Sequence, residues 1–101
     1  MGYTIIRYGV KDAELAENRA LVTKVFEALA EAAPPAVGYL VLELDNGEFI
    51  HIVGQDKESS AITGLAAFKA FSADHADRRA TPVVRSPARI IGNYRMLAGE
   101  R

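Results

Sequence analysis

Two histidines, one asparagine and a few tyrosines and arginines are the side chains of this sequence best suited to chemistry. His51 sits in the run Phe49-Ile50-His51-Ile52-Val53. An imidazole on an apolar strand is held neutral near pH 7 by desolvation, which suits a general base or a donor to a ligand. The plainer reading is a core or interface histidine bonded to a hydroxyl or carbonyl. It gains weight because no acid lies nearby in the sequence to orient the ring. Asn18 interrupts the apolar face of a helix, and a buried amide has to find partners. It either holds a substrate carbonyl in a pocket or ties the helix to a strand. His75 continues a helical stripe among Asp74, Asp77, Arg78 and Arg79. That setting reads as a solvated helix end, where the dipole favours an imidazole. Arg78 and Arg79 would clamp an anionic ligand, or form a solvated end with Asp74 and Arg78 paired one turn apart. Tyr8, Tyr39 and Tyr94 are strand aromatics, more often packing residues than proton donors.

No Ser-His-Asp arrangement, phosphate loop, dinucleotide glycine pattern or paired-carboxylate spacing is present. Nor is there a metal-ligand spacing of the usual kind. An enzyme made from these residues works by pocket desolvation and a single base, with the substrate supplying the reactivity. Oxygenation of an electron-rich phenol anion fits that description, and so does isomerisation by proton transfer. His51 and Asn18 are the catalytic candidates. Tyr39, Phe68, His75, Arg79 and Tyr94 are the candidates for holding a substrate.

The elements that must position these residues follow from the apolar pattern. Tyr3 to Tyr8 is β-branched and aromatic and reads as a strand. Asp12 is a plausible helix N-cap, with Glu14 in the first turn. Leu15, Asn18, Val22, Val25, Phe26 and Leu29 then share one helical face up to Ala33, where Pro34-Pro35 ends the helix. Val37 to Leu44 and Glu48 to Val53 read as strands joined by Asp45-Asn46-Gly47. A two-residue loop at Asn46-Gly47 sets Leu42 opposite His51. A three-residue loop with Gly47 left-handed slips the pairing by one, and His51 then shares a face with Tyr39 and Glu43. A second helix runs from about Ala61 or Leu65 to Arg79, with the stripe Leu65, Phe68, Phe71 or Ser72, His75 and Arg78. Ala80 to Pro87 holds two prolines and reads as an extended arm. Arg89 to Leu97 reads as the last strand.

The order strand, helix, strand, strand, helix, strand is a split β-α-β unit repeated once, an α+β ferredoxin-like sandwich. Right-handed crossovers put both helices on one face of an antiparallel sheet. The other face should then be polar. Yet Val37, Tyr39, Val41, Ile50 and Ile52 occupy one parity, and Leu40, Leu42, Leu44, Phe49 and Val53 the other. A sheet apolar on both faces calls for a second copy of the chain. The alternative cover is the arm from Ala80 to Pro87, but eight residues do not span four strands.

This element order, the size and the doubly apolar sheet resemble the dimeric α+β barrel superfamily, in particular its antibiotic-biosynthesis-monooxygenase-like domains. The stretch Leu65-Ala66-Ala67-Phe68-Lys69-Ala70-Phe71 through His75 is similar to the second helix of those proteins, which often carries a histidine toward its end. The resemblance implies a homodimeric barrel with a pocket between sheet and helices in each subunit. Members include cofactor-free oxygenases of polycyclic phenols, haem-degrading enzymes and muconolactone isomerases. The haem-degrading branch relies on a pocket tryptophan, and this chain has none.

Composition narrows the field further. The chain has 101 residues, half of them hydrophobic and a quarter charged, which suits one globular domain over residues 1–101. The net charge is −1 with acids and bases mixed, so no nucleic-acid footprint is expected. There is no cysteine, which removes thiolate chemistry and fits a reducing cytoplasm. No secretory leader and no membrane span are expected. Two readings follow. One is a homodimeric barrel that binds an apolar or aromatic small molecule and acts as a monooxygenase-like enzyme without a cofactor. The other is a non-catalytic ligand-binding or structural homodimer of the same fold.

Overall fold

A computed structural model describes residues 2–55 and 59–96. Strand β1 (Tyr3–Gly9) is followed by a single 3₁₀ turn (Asp12–Glu14) and helix α1 (Leu15–Ala32). Strands β2 (Gly38–Glu43) and β3 (Glu48–Gly54) form the hairpin. Helices α2 (Ala66–Ala73) and α3 (His75–Arg78) precede strand β4 (Val84–Ala88). The sheet order is β2-β3-β1-β4, antiparallel throughout. This is the α+β, ferredoxin-like architecture expected from the pattern.

Val25 of α1 and Phe71 of α2 share one buried cluster with Tyr8 and Phe49 of the central strands, so both helices cover the same sheet face. The hairpin takes the three-residue loop. Gly47 has φ +87°, Leu44 donates to the Glu48 carbonyl at 2.8 Å, and Val41 lies opposite His51. Only glycine adopts that φ without strain, so Gly47 sets the register. Ile6, Tyr8, Tyr39, Val41, Phe49, His51 and Val53 therefore face the helices. Leu40 and Leu42 lie opposite Ile52 and Ile50 on the outer face, which replaces the grouping that the two-residue loop implied. The outer face is still apolar: Leu40, Leu42 and Val84 are 40%, 44% and 58% exposed.

Three expectations are corrected. Asp12 is not the N-cap: Lys11 precedes the 3₁₀ turn, and no side chain caps either that turn or α1. The second helix is not continuous, because Asp74 (φ −116°, ψ 24°) leaves helical geometry between α2 and α3. The last strand is not Arg89 to Leu97 but Val84–Ala88, inside the stretch read as an arm. A strand proline is tolerated at a sheet edge, and β4 is an edge strand with Pro87 opposite Thr4. The arm thus joins the sheet instead of covering it, and residues 89–96 form no strand. Leu97 lies outside the described residues. Arg7 pairs with Glu48 at 3.2 Å, Glu43 is held by Arg19 of α1 at 2.7 Å, and Arg95 stacks on Tyr94.

Candidate functional site

The inner face divides into a packed part and an open part. In the packed part, Tyr8 stacks on Phe49, and Val25 closes over them. Beside it lies a cavity of about 690 Å³ between the sheet and α2. Its wall carries Ile6, Phe68 and Phe71 together with Tyr8, Tyr39, His51, His75 and Arg85. No carboxylate is among the described residues that line it. Its size and mixed lining are those of a small-molecule pocket.

A hydrogen-bond network runs along the sheet side. Tyr8 Oη lies 2.7 Å from Nε2 of His51, and Tyr39 Oη lies 2.7 Å from Nδ1. Asn18 donates from Nδ2 to Tyr8 Oη at 3.2 Å. Arg78 donates from Nε to Asn18 Oδ1 at 3.0 Å and from Nη2 to the Phe71 carbonyl at 2.6 Å. Asn18, His51 and Arg78 are all buried, at 0%, 3% and 3% exposure. A buried amide, imidazole and guanidinium are tolerable only because each has partners.

Burial sets the protonation of this wall. It pushes the Tyr8 phenol up to about 12, against the opposing effects of the Asn18 bond and the charges of Arg78 and Arg79. Tyr39 is pushed up for the same reason. Burial draws His51 down to about 4, helped by His75 and Arg85. His75 is also drawn down to about 4, by burial and then by Arg78, Arg79 and Arg85. Both imidazoles are therefore neutral at pH 7.

His75 differs from His51 in its bonding. Its ring meets Tyr8 edge to face at 4.4 Å between centroids and packs 5.0 Å from Phe71. Neither ring nitrogen has a hydrogen-bond partner among the described residues, and Nε2 is buried. The solvated end expected there is not found, because the break at Asp74 lets α3 turn its stripe inward. Arg78 reaches Asn18 instead of pairing with the Asp74 side chain.

Of the candidate residues, His51, Tyr39, Phe68 and His75 line the cavity. Asn18 stands behind the wall, bonded to Tyr8. Arg79 does not line the cavity, and its Nε is buried without a partner among the described residues. Tyr94 is 79% exposed and away from it. Sequence reasoning takes Tyr8 for a packing residue and Arg78 for an anion clamp or a solvated helix end, and it passes over Arg85. Tyr8 and Asn18 carried a usable signal, since two polar groups on apolar faces of consecutive elements must bond to something. Among the described residues, no three acidic or histidine side chains gather to hold a metal ion. No described helix is long and apolar enough to cross a membrane.

Solved structures with this arrangement are numerous. A Nitrosomonas europaea protein provisionally described as an antibiotic biosynthesis monooxygenase superposes with a TM-score of 0.72 at 16% identity, covering 89% of each chain. The fold is that of the antibiotic-biosynthesis-monooxygenase-like proteins. Rv0793 from Mycobacterium tuberculosis matches this fold with a TM-score of 0.69 at 16% identity, over 91% of this chain and 96% of that one. A second Nitrosomonas europaea protein, NE2512, of unknown function, matches with a TM-score of 0.70 at 14% identity, over 92% and 91%. No sequence-family model and no curated protein matches the chain. At such identities the likeness concerns the fold, and activity has to be argued from the site.

Proposed function

We propose that this chain binds an acidic aromatic small molecule, a phenol or enol, and oxygenates it as a monooxygenase-like enzyme that needs no cofactor. The observation that carries this reading is the cavity: an aromatic and apolar wall, two neutral imidazoles, Arg85, and no described carboxylate. Such a wall favours a flat organic anion over a cation. Arg85 acts on both histidines, so its charge reaches the space between them. On this reading the ligand hydroxyl gives its proton to His75, whose ring nitrogens are unpartnered. The oxyanion then rests against Arg85. His51 belongs to the wall and Asn18 positions it. Phe68 and Phe71 supply the surface for the ring. An electron-rich phenolate reacts with dioxygen on its own electrons: a phenol and O₂ yield a quinone and water, with no external reductant.

The reading includes a homodimer. The outer face carries Leu40, Leu42, Ile50, Ile52 and Val84 with none of the described helices over them in one copy, and an apolar face of that kind marks an interface. A twofold pairing of two such faces buries it. Native mass spectrometry of wild type and Leu42→Glu tests this: two chains should give way to one in the variant.

The decisive assay for the reaction is incubation with polycyclic phenols under ¹⁸O₂. Uptake of one labelled oxygen into a quinone, lost in His75→Gln, is the expected result. Tight binding with no oxygen uptake would favour the non-catalytic ligand-binding dimer.

A further inference from the structure

We propose that the hydroxyl of Tyr39 is the hydrogen-bond donor that the sheet side of the cavity offers to a ligand, and that Arg78 sets its direction from the far end of the network. The proposal rests on the cavity being a ligand site, and it adds the atom that meets the ligand and what the ligand must present: an acceptor oxygen, as a carbonyl or an oxyanion.

The direction follows from which groups are able to accept. A guanidinium only donates. Arg78 Nε therefore fixes Asn18 with Oδ1 toward itself. The other end of that amide also only donates, and it gives to Tyr8 Oη. Tyr8, having accepted there, gives its own proton to Nε2 of His51 at 2.7 Å. A neutral imidazole with a bare Nε2 carries its proton on Nδ1. That N–H donates to Tyr39 Oη at 2.7 Å. The Tyr39 hydroxyl proton is the last in the line, and no acceptor takes it among the described residues.

The opposite direction at His51 is disfavoured by burial. If Nε2 carried the proton, Tyr8 Oη would receive from both His51 and Asn18. Its own proton would then be left over inside a residue 1% exposed. The network holds one more proton than it has acceptors, so one hydroxyl must point outside it. Both phenols line the cavity, but Tyr8 is 1% exposed, whereas Tyr39 is only part-buried. The surplus proton belongs where a ligand is able to take it. Arg78, Asn18, Tyr8 and His51 are positioning residues, and Tyr39 is the group that touches the ligand.

The test reads the tautomer directly. Long-range ¹H–¹⁵N spectra at neutral pH report which ring nitrogen of His51 is protonated. The chain has two histidines, so a His75→Gln variant assigns the signals. Wild type should show His51 protonated on Nδ1. Asn18→Asp should reverse the line: the carboxylate accepts from both Arg78 and Tyr8, Nε2–H then donates to Tyr8, and Tyr39 donates to a bare Nδ1. His51 should therefore switch to the Nε2–H form.

Binding gives the second readout, by fluorescence titration with 2-acetylnaphthalene and with 2-isopropenylnaphthalene, its near-isostere lacking the carbonyl. Wild type should prefer the ketone by about five- to tenfold. Tyr39→Phe and Asn18→Asp should both remove that preference. Wild-type His51 protonated on Nε2 would overturn the proposal, and so would a preference that survives in Tyr39→Phe. Should Asn18→Asp fail to fold, the wild-type tautomer and Tyr39→Phe decide. If neither naphthalene binds, the cavity reading falls and the ligand role of Tyr39 with it. If both bind equally in wild type, only the donor assignment falls.

Discussion

The two histidines of the cavity reach the same protonation by different routes. His51 is buried on a central strand, fixed by ladder bonds on both sides, and each ring nitrogen lies 2.7 Å from a phenol oxygen. His75 stands on one helical turn after a break, with no partner for either ring nitrogen among the described residues and three arginines acting on it. Both are drawn down to about 4. The sheet side is thus a wall whose polar groups satisfy one another, save the last hydroxyl proton on Tyr39. The helix side leaves its donors and acceptors for something else. Stability should concentrate on the first and proton exchange with a ligand on the second.

Removing one hydroxyl from the sheet side should break this contrast most visibly. Tyr8→Phe leaves Nε2 of His51 and Nδ2 of Asn18 unpaired in the interior. It should cost about 2–6 kcal/mol in urea unfolding, given about 1–3 kcal/mol for each orphaned group. His75→Gln, which removes no hydrogen bond, should cost about 1 kcal/mol or less. Equal losses would erase the distinction between the two sides.

Acid should act next. A histidine with a folded pKa of about 4, against an ordinary 6.5, binds its proton in the unfolded chain first. Stability is therefore full above about pH 6.5 and falls as pH drops toward 4. His51 should account for roughly 3 kcal/mol of that loss, at about 1.4 kcal/mol per unit. His75, only half-buried, should account for a fraction of it after solvent screening. Unfolding curves from pH 7 to 4 should flatten more in His51→Gln than in His75→Gln.

The smallest change in stability should accompany a clear change in binding. Arg85 is exposed on the edge strand, so Arg85→Gln should alter stability by about 0.5 kcal/mol or less. Its affinity for 2-naphthoate should nonetheless drop about tenfold, the worth of one charge-assisted bond. Affinity for neutral 2-naphthamide should stay unchanged.

The pattern of apolar residues disclosed the scaffold well and the site poorly. Periods of 2 and 3.6 located β1, α1 and the hairpin, because those elements bury one face and expose another. Both alternatives for the hairpin were visible, but the choice between them lay in the φ of Gly47. The last strand was misplaced because Pro87 argued against a strand, and only its place at the sheet edge makes it acceptable. His75 and Arg78 were read as solvated because charged neighbours surround them in sequence. The break at Asp74, which no strong local signal announced, is what turns them inward. Tyr8 was read as packing, which it also does. Its bond to Asn18 joins residues ten apart on different elements, and such a contact is legible only once the sheet and α1 are docked.

The most direct test of the account is to follow both histidines by NMR while 2-naphthoate is added at pH 7. The account predicts that His75 takes up a proton as its pKa rises beside the bound anion, while His51 stays neutral and keeps its tautomer. Protonation of His51 with His75 unmoved would mean that the ligand exchanges its proton with the sheet side, and the division proposed for this cavity would be wrong.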